Sequence, residues 1–218
     1  MRQFANLFLR LDQSNGINDK VDALVDYLRE APADEQLWGI AILSDRRPKR
    51  TVNTTLLRNW AAEMANLPLW LFEDSYHIVG DLAETIALVL PEKENSSDKS
   101  LRFWIDYIRD LQSLSESAKK DSVQQAWNQL DYAQRFIFNK LITGNWRIGV
   151  SNKLVAKAIS KFTSLPENTV LHRLSGHWSP DDNSFQDLIL GENTTDDLSK
   201  PFPFCLAYAL EEEPDKLG

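Results

Sequence analysis

Residues 141–153, Leu-Ile-Thr-Gly-Asn-Trp-Arg-Ile-Gly-Val-Ser-Asn-Lys, contain the side chains an anion cradle needs. Gly144 follows the last apolar-periodic position of a helical pattern, where a left-handed residue is commonly required. Gly149 has no side chain, so another backbone can approach closely. Arg147 lies between them and can fork onto two phosphate oxygens. Ser151 suits a helix N-cap, and the N–H groups beyond it favour an anion. Asn145, Asn152 and Lys153 add polar and cationic groups. Nothing in the stretch supplies a base-reading pattern, so the chemistry is sequence-independent phosphate binding.

The surrounding charge supports this. Residues 135–161 carry Arg135, Lys140, Arg147, Lys153, Lys157 and Lys161 and no Asp or Glu, which reads as a clean positive face. The whole chain has a formal charge of −8. A second basic turn, "DRRPKR", supplies Arg46, Arg47, Lys49 and Arg50, with Arg58 beyond it. Where charge sits is more informative than its sum. An isolated basic run is usually a solvated helix face. Two such turns at matching places in a helical frame argue against that reading.

The two turns match when residues 38–68 are set against residues 136–166 without a gap. Trp38 then meets Phe136, Leu43 meets Leu141, Leu57 meets Val155, and Leu67–Pro68 meets Leu165–Pro166. Val52–Asn53 and Val150–Ser151 each place an apolar residue before a capping side chain, with Leu57 and Val155 where a hydrophobic staple closes. The alternative is two unrelated helix–turn–helix units that obey the same capping rules. A true repeat presents two cationic turns about a pseudo-twofold axis, which suits a duplex.

The elements that hold these turns read as helices almost throughout. Apolar stripes predict helices over 2–12, 18–30, 34–43, 53–65, a Pro68-led segment, 81–90, 101–114, a stretch near 121–129, 131–143 and 151–162. Two or three shorter helices follow Pro166. Gly80 breaks the chain before Asp81, a predicted N-cap with Glu84 as its capping-box partner. "PEKENSSDKS" reads as a surface loop. Nothing alternates as a strand does. The expected class is all-α, a single multi-helix domain of roughly ten or more helices with two pseudo-symmetric halves. Residues 1–200 form the helical domain and residues 201–218 an extended linker with two prolines bracketing Phe202.

Other chemistry is poorly represented. At 218 residues and 43% hydrophobic content the chain buries a substantial core. Its single cysteine, Cys205, forms no internal disulfide, fits a reducing cytoplasm and has no arranged base. No apolar run approaches the ~20 residues of a membrane span, and the N-terminus lacks the pattern of a signal peptide. His172 and His177 have a poor spacing for shared metal ligation. There is no Walker P-loop and no nucleophile elbow. Trp38, Trp60, Trp104 and Trp127 fall on apolar stripes and read as core. Trp146, inside the basic turn, either packs on a sugar or anchors the loop.

The chain resembles the N-terminal DNA-binding domain of bacterial ATP-dependent DNA ligases. The resemblance rests on "KLITGNWRIGVSNKLVAKAI", "RRPKR", "WLFEDSYHIVGDLAETIALVLP" and "PFPFCLAYALEEEP", and covers essentially all of the sequence. It implies an all-helical domain with two pseudo-symmetric halves, gripping nicked duplex DNA across the minor groove and helping to close the enzyme around it. Gly144, Arg147, Gly149 and Ser151 would lie against the backbone near the nick, and "RRPKR" would serve the other half. Duplex DNA and the ligase's own catalytic core are the implied partners, with a monomer expected and no membrane. The full enzyme's ATP and Mg²⁺ are implied by the resemblance only. The family's Lys-x-Asp-Gly nucleophile motif does not occur here, so Lys216 in "DKLG" is not read as an adenylated lysine, and the chain alone is expected to be inactive. The rival expectation is a helical-repeat scaffold for an acidic protein partner, which plain duplex DNA would not displace.

Overall fold

A computed structural model describes residues 1–92, 97–144, 146 and 148–191. Asn145, Arg147, Cys205 and the 201–218 linker lie outside the described residues. No β-strand occurs among the described residues. The helices are α1 (Arg2–Gln13), α2 (Ile17–Glu30), α3 (Ala33–Leu43), α4 (Thr54–Met64), α5 (Leu69–Val79), α6 (Leu82–Val89), α7 (Leu101–Asp110), α8 (Glu116–Gln129), α9 (Tyr132–Thr143), α10 (Asn152–Thr163) and α11 (Glu167–Ser175). A 3₁₀ turn (Leu111–Ser113) follows α7, and a π-helical segment (Gln186–Leu190) follows α11.

Capping chemistry sets the boundaries, and is legible in the sequence at Asn53, Asp81 and Ser151. The side chains of Asn53, Asp81, Ser100, Ser115, Asp131 and Ser151 each accept a bond from the first turn of the helix they precede. Pro68 and Pro166 open α5 and α11. Gly80 and Gly144 close α5 and α9 in the left-handed conformation. Two boundaries differ from expectation. The helix expected near 121–129 begins at Glu116, because Ser115 caps a first stretch that is too polar to show a stripe. The helix expected over 101–114 tightens to a 3₁₀ turn after Asp110.

At the centre lies α9, packed between α6 and α1 and touching α7. Every residue from Gln134 to Ile142 is buried. Most of its polar side-chain atoms bond to neighbouring segments, while one Arg135 amino group, Nη2, has no partner among the described residues. Arg135 is 1% exposed and donates to the carbonyls of Trp127 (2.7 Å), Pro91 (2.8 Å) and Leu90 (3.4 Å). Asn139 accepts from the Trp127 indole at 2.7 Å and donates to the Ala83 carbonyl at 3.2 Å. Lys140 is buried and ion-paired with Asp81. Reading residues 135–161 as one positive face is therefore corrected at its start: Arg135 and Lys140 belong to the core, where burial without partners would be costly.

Around this centre α2 packs on α10 and α1, α11 on α10, and α4 on α5 and α6. The matched stretches agree locally. Val52 and Leu57 are buried before and inside α4, and Val155 is buried inside α10. Asn66 and Ser164, aligned by the same offset, both take positive φ (53° and 63°) before a Leu-Pro that starts the next helix. Trp38, Trp60, Trp104 and Trp127 are core, as their stripes predicted.

Candidate nucleic-acid interface

Two helix ends bring the basic turns together. The chain leaves α3 through Asp45, held in a left-handed conformation (φ 64°), and the Arg46 N–H bonds back to the Ala41 carbonyl at 2.8 Å. It leaves α9 through Gly144, whose N–H bonds to the Lys140 carbonyl at 2.9 Å. The turns meet through Arg47. Its guanidinium donates to the Gly144 carbonyl at 3.4 Å, stands 5.7 Å from the centre of the Trp146 ring, and pairs with Asp45. Partial burial lowers the Arg47 pKa from its ordinary value. An arginine stays charged at neutral pH despite such a shift.

Trp146 resolves in favour of anchoring. Its ring packs edge-on against Phe8 at 5.2 Å and at a tilt against Phe4 at 6.1 Å, pinning the second turn to α1. A cavity of about 300 Å³ opens between the turns, lined by Asp45, Arg47, Trp146, Gly149 and Ser151 among others. Gly149 has a φ of 57°, a left-handed conformation unfavourable to other residues. Ser151 caps α10 by accepting from the Leu154 N–H at 3.2 Å, and Asn152 and Lys153 are exposed on its first turn. A second cavity of about 320 Å³ is lined by Arg50, Thr54, Arg58, Asp81 and Thr143 among others.

The predicted cations divide into groups. Lys49, Arg50 and Lys153 are exposed. Arg50 folds back on its own turn, to the Val52 carbonyl at 3.0 Å and the Thr54 hydroxyl at 3.4 Å. Arg46 turns inward: it donates to the carbonyls of Gly176 (2.8 Å), Trp178 (3.2 Å) and Leu174 (3.3 Å), and lies 4.4 Å over the Trp178 ring. It ties the first turn to the end of α11. Arg58 is engaged by Glu73 at 3.0 Å and Lys161 by Asp22 at 2.6 Å.

Lys20 was not picked out from the sequence. From α2 its ammonium donates to the Ile148 carbonyl at 3.0 Å and the Gly149 carbonyl at 3.4 Å. A lone lysine in a helix rich in Asp gives no sequence signal for a contact this remote. Neither histidine has a metal partner set, and no group of three His, Cys, Asp or Glu side chains able to hold a metal exists among the described residues. No helix among the described residues is long and apolar enough to cross a membrane.

A helical frame that joins two basic turns around one open cavity defines a class: a helical module with two basic turns side by side. The profile of the family described as DNA ligase N terminus matches residues 1–160. The chain belongs to that family and is a ligase-associated DNA-binding domain. No curated protein sequence matches it.

Proposed function

We propose that this domain grips duplex DNA by its sugar–phosphate backbone, without regard to sequence, and positions a nick for sealing by an ATP-dependent ligase. One observation carries the reading: the "RRPKR" turn and the Gly144–Ser151 turn, far apart in sequence, share one cavity and are joined by Arg47. Arg147 and Asn145, in the same stretch of sequence, are further phosphate ligands in this proposal, and the local match between the α3–α4 and α9–α10 units suits the two strands of a duplex. The partner is the ligase's catalytic core. ATP and Mg²⁺ are assigned in this proposal to that core, whose Lys-x-Asp-Gly motif does not occur in this sequence. No chemical step is assigned to this chain. Its contribution is orientation of the reacting ends, which can supply a large part of a rate enhancement.

Binding is tested by titrating intact and nicked duplexes of unrelated sequence at several salt concentrations. With Arg135 and Lys140 in the core, Arg47, Lys49, Arg50, Lys153 and Lys157 are available cations among the described residues. About five phosphate contacts give a log–log slope of roughly −4.5. Salt-independent binding, or no binding at low salt, would overturn the proposal.

A further inference from the structure

The ammonium of Lys20 is spent on two main-chain carbonyls although Asp19 and Asp22 flank it on the same helix. Asp22 pairs instead with Lys161 in the last turn of α10. The peptide bonds here are trans. In a planar trans peptide the N–H points opposite to the C=O. When the carbonyls of Ile148 and Gly149 both face Lys20, the N–H groups of Gly149 and Val150 must both face away from it. Gly149 and Val150 line the cavity between the basic turns, and Lys20 reaches the turn from outside the lining residues. Neither N–H group has a hydrogen-bond partner among the described residues. Successive main-chain N–H groups presented together form an anion-binding concavity.

We infer that Lys20 is a positioning residue of the phosphate seat: by holding the Ile148 and Gly149 carbonyls at its back, it presents the Gly149 and Val150 N–H groups to a backbone phosphate of the duplex. The inference rests on the duplex-binding reading and adds the device that shapes the seat. Gly149 fits the same device. A Cβ there would stand 3.2 Å from the Lys20 ammonium, in a backbone conformation that already disfavours side chains.

Positioning and direct contact leave different signatures. A lysine that touches phosphate releases counterions, and its loss lowers the salt slope by about 0.9. A lysine that acts through the backbone does not. In the full chain, Lys20→Met is expected to weaken duplex binding about three- to tenfold with the salt slope unchanged, and Lys20→Arg, which keeps donors for the carbonyls, is expected to restore most of the affinity. Without DNA, the amide resonances of Gly149 and Val150 are expected to move in Lys20→Met and to stay near their native positions in Lys20→Arg. Native affinity in Lys20→Met, a slope lowered by about one, or unmoved amides would each overturn the inference. If the native chain binds no duplex, the duplex-binding reading fails by itself, and the amide comparison still decides whether Lys20 shapes the turn.

Discussion

Arg47→Ala will weaken duplex binding by roughly 10- to 150-fold at fixed salt, the equivalent of about 1.5–3 kcal/mol for a charge-assisted hydrogen bond. Arg47 touches both turns, through the Gly144 carbonyl and the Trp146 ring, and lines the cavity between them. Its pairing with Asp45 tempers the gain on binding, because a phosphate must take the place of that carboxylate. The loss should be equal for unrelated duplex sequences, and the salt slope should fall by about one. Arg47→Lys keeps the charge and loses the fork, so it should fall between the two. Thermal melting should change little, since an ion pair with an exposed partner contributes at most about 1 kcal/mol. Affinity measured by fluorescence anisotropy against salt checks all of these. An unchanged Kd would remove Arg47 from the interface.

Arg135→Ala will show the opposite pattern, a large loss of stability. The guanidinium closes off three carbonyls at the ends of α6 and α8, in a core that water does not reach. Alanine leaves those acceptors unpaired, at about 1–3 kcal/mol each where no relaxation helps, and opens a void beside Trp127. The total expected is about 3–5 kcal/mol, comparable to breaking a buried ion pair. For a chain of this size that lowers Tm by roughly 6–20 °C. Arg135→Met fills the volume without the donors and should lose less. Far-UV circular dichroism melts decide the matter: an unaltered Tm would mean that the guanidinium is dispensable to the core. Below the melting transition the salt slope of duplex binding should match the native one, because Arg135 reaches no phosphate.

These two arginines mark what the sequence does and does not disclose. The helices are legible because their caps are local chemistry: Asn53, Asp81 and Ser151 act within three residues of themselves. Gly80 and Gly144 are equally local, set by the left-handed turn that ends a helix. The destination of a long cation is not local. Arg135 and Lys140 sit on α9, which is enclosed on every side and so has no polar face to announce its orientation. Arg46 and Arg47 are adjacent in sequence and diverge in space, one to the end of α11 and the other to the cavity. Their divergence follows from the left-handed Asp45 and from where Trp178 lies, neither of which periodicity encodes. Lys20 meets its carbonyls across more than a hundred residues of chain, where only tertiary structure can join them. Helix α5 shows the reverse case. Its apolar composition suggests burial, yet Trp70 is 65% exposed and Ile78 86% exposed, and among its residues only Phe72 is fully inside.

The pairing of the two basic turns into one face is best tested by titrating a plain duplex into the isotopically labelled chain and following its backbone amides. Resonances of Arg46, Arg47, Lys49, Arg50 and residues 148–153 are predicted to shift together and to saturate at one Kd. Shifts restricted to one turn, or centred on the apolar surface of α5, would contradict a shared DNA seat.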